Sequence, residues 1–197
     1  MSAVPQKPEQ LTDDFLDNFK LSTEAKWHTQ PINPDLYGFQ FQTGTRWNPG
    51  LSEPAILEYQ DLLGLRLPYD FLAFLRKMNG TDLPTVNVYG SSRPAAHSVG
   101  IFSYPRDLDI IRQRMQEIHR NRKDIAMNLA DQGFDLAPEA GVMPIFSHRY
   151  VVCSPDLKSS VVLSVVVDAV DAIVYANSLR QYLEKEFLGG QSAHPQG

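Results

Sequence analysis

Apolar positions along this chain fall into alternating stretches of helical and strand period. Leu11–Lys20 predicts a helix. Thr12 stands at its N-cap, Leu11 and Leu16 hold the spacing of a hydrophobic staple, and Asp13 and Asp14 favour the first turn. Trp27–Pro34 predicts irregular chain because of Pro31, Asn33 and Pro34. Tyr37–Gln42 alternates strictly and predicts a half-buried strand, with Tyr37, Phe39 and Phe41 facing inward. Ser52 caps a second helix that Gly64 stops, with Pro54 tolerated in its first turn. Pro68 opens a third, whose wide apolar face of Phe71, Leu72, Phe74, Leu75 and Met78 predicts a central position. Asn79-Gly80 is read as its left-handed cap.

Thr85–Tyr89 predicts a short strand, Gly90–His97 a polar loop, and Val99–Phe102 another strand. Pro105 opens a long helical pattern through Leu108, Ile111, Met115 and Ile118. Arg122 breaks it, and Ile125 and Leu129 resume it up to Gly133. Ile145–Cys153 reads as one strand, and Val161–Val167, apolar on both faces, as a central covered one. Ala172–Tyr175 returns beside it. Asn177 caps a last helix with Leu179, Tyr182, Leu183 and Phe187 inward. This order predicts a single α+β domain over 11–188, a twisted antiparallel or mixed sheet covered by helices, with a loose leader over 1–10 and a tail over 189–197.

With 197 residues, the chain is long enough to bury a core without metal or disulfide support. A net charge of −5 argues against nucleic-acid binding through overall charge, though not against a local basic patch, and suits a soluble monomer or a protein with a basic partner. The lone cysteine, Cys153, favours a reducing compartment. The longest aliphatic run, Val161–Val167, falls far short of the ~20 residues a bilayer span needs. These features predict a cytoplasmic protein with no membrane and no nucleic-acid partner; oligomeric state stays open.

Chemical signatures are sparse. Gly90-Ser91-Ser92 lacks the Gly-Lys-Ser/Thr of a phosphate loop, and His28, His97, His119, His148 and His194 are scattered. No cofactor or metal is expected. Cys153 with His148 is the best nucleophile-and-base candidate for a cysteine hydrolase. Five residues apart in one strand, they would face opposite ways. Phe146, His148 and Tyr150 would share a face, as core packing or an aromatic cleft. Arg112, Arg114, Arg120, Arg122 and Lys123 could contact phosphates. Asp109 with Arg112, and Glu117 with Arg114 or Arg120, instead sit at helical pairing distances, which predicts a self-paired, solvated face.

One ordered set of motifs is more specific. It runs Trp47-Asn48-Pro49-Gly50-Leu51-Ser52, Ile56, Tyr59, Leu63-Gly64-Leu65, Leu67-Pro68, Asp70-Phe71, Phe74-Leu75 and Asn79-Gly80. Met143-Pro144-Ile145, His148-Arg149-Tyr150 and a closing helix over Leu179–Phe187 follow. In order and spacing, residues 36–188 resemble the SUKH superfamily, the group related to the fungal cell-wall-assembly regulator. Glu58-Tyr59 departs from the L-E pair common there. The N-terminal helix and the arginine-rich helix look like additions. The resemblance implies an α+β fold without a catalytic site. It also implies a protein partner: a toxin neutralised by occlusion, as in bacterial immunity proteins, or alternatively the client of a regulatory or scaffolding protein. A basic toxin domain is the partner the charge suits best. No contact residue carries over from the superfamily. Exposed-loop logic and interface composition nominate Trp47, which could equally plug the sheet's end, with Asp82, Tyr89 and Arg93, beside His148 and Arg149, as the partner surface.

Overall fold

A computed structural model describes residues 11–89, 96–154, 156, 160–169 and 171–189 (backbone alone at 96–98). Its helices are α1 (Asp13–Thr29), α2 (Glu53–Leu63), α3 (Tyr69–Lys77), α4 (Leu108–Arg120), α5 (Arg122–Ala130) and α6 (Leu179–Leu183). The last runs on into a π-helical turn over Glu184–Leu188. The strands are β1 (Gly38–Phe41), β2 (Trp47–Pro49), β3 (Met78–Thr81), β4 (Thr85–Val88), β5 (Ala96–Ser98), β6 (Gly141–Phe146), β7 (Arg149–Cys153), β8 (Val162–Val166) and β9 (Asp171–Ala176).

Strands β6–β7–β8–β9 form an antiparallel sheet in sequence order. The segment through Ile101 prolongs it: Phe102 N–H donates to Ile145 O at 3.0 Å, and Thr81 N–H donates to Ile101 O at 3.3 Å. The β2–β3 pair is thereby tied to the main sheet, while β1–β4–β5 forms a smaller antiparallel sheet of its own. Gly80, at φ 69°, is required where these strands meet, because a Cβ there would lie 2.5 Å from Ile101 O.

Side chains alternate across the main sheet, so its two faces build separate cores. Met143, Ile145, Val151, Cys153 and Val162 join Leu16, Phe19, Trp27, Ile56, Phe71, Phe74, Leu179, Tyr182 and Phe187, from α1, α2, α3, α6 and the π turn. Val142, Tyr150, Val152, Leu163, Val165 and Ala172 join Ile118, Ile125 and Leu129 from α4 and α5. The fold is therefore α+β, with an antiparallel sheet covered by helices on both faces.

Local signals fix several helix ends. Thr12 Oγ1 accepts from Phe15 N–H at 3.2 Å, and Ser52 Oγ from Ala55 N–H at 3.4 Å. Gly64 takes the left-handed conformation at φ 62°. Asp70 does more than start α3. Its carboxylate accepts the main-chain N–H of Ser160 at 3.0 Å and also the Ser160 hydroxyl, pinning the approach to β8 onto the helix.

Several expectations need correction. Helix α1 continues to Thr29, into the first residues of the stretch expected to be irregular, because Trp27 enters the core; residues 30–34 are irregular as expected. Asn79-Gly80 does not cap α3. The helix passes directly into β3, and the buried Asn79 side chain pairs with both main-chain groups of Tyr104. In β1, Tyr37 precedes the strand and is 66% exposed, whereas Gln40 is buried and holds the loop at Asn33 and Leu36 through three hydrogen bonds. Residues 145–153 form a hairpin rather than one strand. Ser147, at φ 50°, and His148 make its turn. This hairpin places Phe146 in the first core and Tyr150 in the second, so Phe146, His148 and Tyr150 share no face.

Candidate functional site

The nominated partner residues do not assemble into one surface. Trp47 is only 4% exposed. Its indole N–H donates to Thr23 Oγ1 at 2.8 Å, and its ring lies among Phe19, Trp27, Phe74 and Phe187. It completes the core and has no face left for a partner. Arg149 is equally unavailable at 5% exposure. It pairs with Glu186 at 3.1 Å, donates to Ser164 Oγ at 2.8 Å, and lies 3.8 Å from the Tyr175 ring centroid. Asp82 is exposed, but its carboxylate accepts the main-chain N–H groups of Arg46 and Leu83 at 2.7 and 2.8 Å, which shapes the turn after β3. Tyr89 is exposed beyond the end of β4. Arg93 lies outside the described residues.

The pair nominated for a hydrolase is not brought together either. His148 sits in the hairpin turn and Cys153 at the far end of β7, roughly 17 Å away at five residues of strand rise. Cys153 is 3% exposed. Burial, reinforced by the charge of Asp70, pushes its thiol up to about 12. At neutral pH it is a thiol, which neither attacks a carbonyl nor binds metal as a thiolate does.

The arginine-rich stretch also departs from expectation. The predicted pairs of Asp109 with Arg112 and of Glu117 with Arg114 or Arg120 are absent. Four arginines instead donate to main-chain carbonyls of other elements: Arg106 to Thr81 O at 2.7 Å, Arg112 to Leu62 O at 2.8 Å, Arg114 to Ser147 O at 3.2 Å, and Arg122 to Ala137 O at 2.6 Å. A planar fork of N–H donors suits such bonds better than one solvated ion pair, because each satisfies an acceptor at the end of a strand, helix or turn. Arg120 makes no hydrogen bond or ion pair among the described residues, and it is exposed.

Helix α4 is thus held as a ridge. Beside it, over the ends of β7 and β8, opens a groove of about 830 Å³. Ile110, Val165 and Val167 supply aliphatic walls. Arg114, Glu117, Arg120, His148 and Asp168 supply charge or hydrogen bonds. The His148 wall is firmly placed. Its carbonyl accepts from Val165 N–H at 2.9 Å, and its Nδ1 lies 3.0 Å from Ser147 Oγ. At the base, burial raises the Tyr150 phenol's pKa, an effect partly offset by the adjoining Arg114 guanidinium.

Of the nominated residues, His148 alone lines this groove. Arg114, Glu117 and Arg120, weighed as phosphate contacts or their paired acid and read as a self-paired face, and Asp168 were not nominated for the partner surface. A signal for the first three was present: residues 106–123 carry five arginines and a lysine against three carboxylates, too few acids to pair them. Nothing local marks Asp168, which arrives through the β8–β9 turn.

Among the described residues no helix is long and apolar enough to cross a membrane, and no three His, Cys, Asp or Glu side chains converge as metal ligands. No protein-family model and no curated protein matches the chain.

Proposed function

We propose that this protein is a non-enzymatic binding module that acts by occluding a protein partner, in the manner of the immunity proteins of the SUKH superfamily it resembles. The observation that supports this reading is the groove beside α4. Its aliphatic walls and its rim of both charge signs are the anatomy of a protein interface. It is also pre-organised, since arginine–carbonyl bonds hold α4 and main-chain bonds hold the hairpin. Glu117 and Asp168 give the rim two carboxylates to meet a basic partner, consistent with the net charge of −5. A cytoplasmic setting and a basic toxin domain belong to the same proposal.

Affinity capture from native lysate, followed by reconstitution with the purified partner, tests it. Charge reversal at Glu117 and Asp168 together is expected to weaken the complex at least about tenfold. If the partner is a toxin, the same variant loses protection of co-expressing cells. Unchanged affinity in that variant, or turnover of a small substrate by the purified chain, would overturn the reading.

A further inference from the structure

The other flank of α4 faces α2 across a second open groove, of about 520 Å³. Leu62, Leu63 and Met115 form its floor, and Leu62 remains 39% exposed. Arg112, His119 and Arg120 form its rim. No carboxylate lines it, although Asp and Glu outnumber Lys and Arg 23 to 18 in the chain. Asp61, adjoining the floor in sequence, is paired with Arg66 at 3.5 Å. Arg112 already gives its Nε and Nη2 to Leu62 O, which fixes one cation at the groove's edge. Arg120 gives nothing to any described residue.

We propose that this groove receives a short acidic amphipathic helix of a partner protein. Its leucine-type side chains at i, i+4 and i+7 cover the Leu62–Leu63–Met115 floor, the recognised geometry of a helix laid in an apolar groove. Its Asp or Glu side chains meet Arg120, whose planar fork accommodates a carboxylate bidentately. Charge complementarity selects this occupant. A basic helix would bring cations against Arg112 and Arg120, and a neutral one would leave Arg120 unpaired. The inference goes beyond the groove at His148, whose rim carries Glu117 and Asp168; Arg120 borders both grooves, so Met115 and Leu62, which line this one alone, separate the two readings.

The test uses the whole protein and a fluorescein-labelled acidic amphipathic peptide of about 14 residues, four helical turns. Saturable binding by anisotropy is expected, weakening as salt is added. Amide shifts in a ¹⁵N spectrum should map to Leu62, Met115 and Arg120. Arg120→Glu should weaken binding about tenfold, and Met115→Gln should weaken it through the floor. Equal affinity for the same peptide with every Glu replaced by Lys would overturn the proposal. So would no saturation, shifts confined to the His148 groove, or displacement of the peptide by phosphatidylserine vesicles, which would make a lipid surface the occupant.

Discussion

The two faces of the main sheet are built from different material. One is aromatic: Phe19, Trp27, Phe41, Trp47, Phe74, Phe146, Tyr182 and Phe187 form a connected set of ring contacts with centroids 4.4–6.2 Å apart. The other is aliphatic, with Tyr150 as its fully buried aromatic in an assembly of Ile118, Ile125, Leu129, Val142, Val152, Leu163 and Val165. The aromatic face gathers helices from both ends of the chain, and rings of that size interlock over long sequence separations. The aliphatic face is closed by two consecutive helices, and the outer flanks of the first of them form the walls of both grooves. Helix α4 bridges the two, with Ile111 in the aromatic core and Ile118 in the aliphatic one, and the second groove opens between it and α2 on the aromatic side.

The contrast can be broken most forcefully at Trp47. Trp47→Ala should cost ~3–5 kcal/mol in urea denaturation, because it empties the junction of α1, α3 and the π turn. A loss below 1 kcal/mol would mean the aromatic face is not the main stabiliser. Breaking the partly buried Arg149–Glu186 pair comes next. Arg149→Ala should cost roughly 3 kcal/mol, and Glu186→Gln in the same chain should recover part of it, since an orphaned carboxylate is then removed. On the aliphatic face, Leu163→Ala should cost ~2–3 kcal/mol. Native-state hydrogen exchange should show it loosening α5 before α3.

A smaller effect concerns pH. The folded-state pKa of Cys153, about 12, lies above its reference of 9.0. The thiol's contribution is therefore intact below pH 9 and is lost as pH rises towards 12. Thermal melts should show a shallower alkaline decline in Cys153→Ala than in the parent, and an identical slope would contradict the burial argument. The smallest stability change is expected at Arg120→Glu, within about 0.5 kcal/mol, even though this variant should have a marked effect on peptide binding.

What could be read from the chain follows the range of the signals. Thr12, Ser52, Pro54, Gly64 and Pro68 act through local backbone chemistry, and they start or stop their helices where their spacing placed those ends. The covered strand at Val162–Val166 was recognisable because both its faces are apolar. The hairpin at Ser147-His148 was hidden because its turn uses a serine at positive φ instead of the Asn-Gly that usually marks one. Trp47 looked like a loop anchor because its partners, Thr23 and Phe187, lie far away in sequence. The arginines looked self-paired because i, i+4 neighbours are visible in a sequence, whereas a carbonyl 50 residues away is not. The candidate grooves rest on those distant bonds, so they emerged only with the fold.

The carbonyl-directed arginines have one more consequence. Every amino acid carries a main-chain oxygen, so the fastenings at positions 62, 81, 137 and 147 ask nothing of the side chains there. A lineage could vary the exposed side chains on the outer flanks of α4, Arg112 and Arg114 apart, while the ridge stays seated. Such an anchoring scheme lets a recognition surface change its specificity without renegotiating its scaffold.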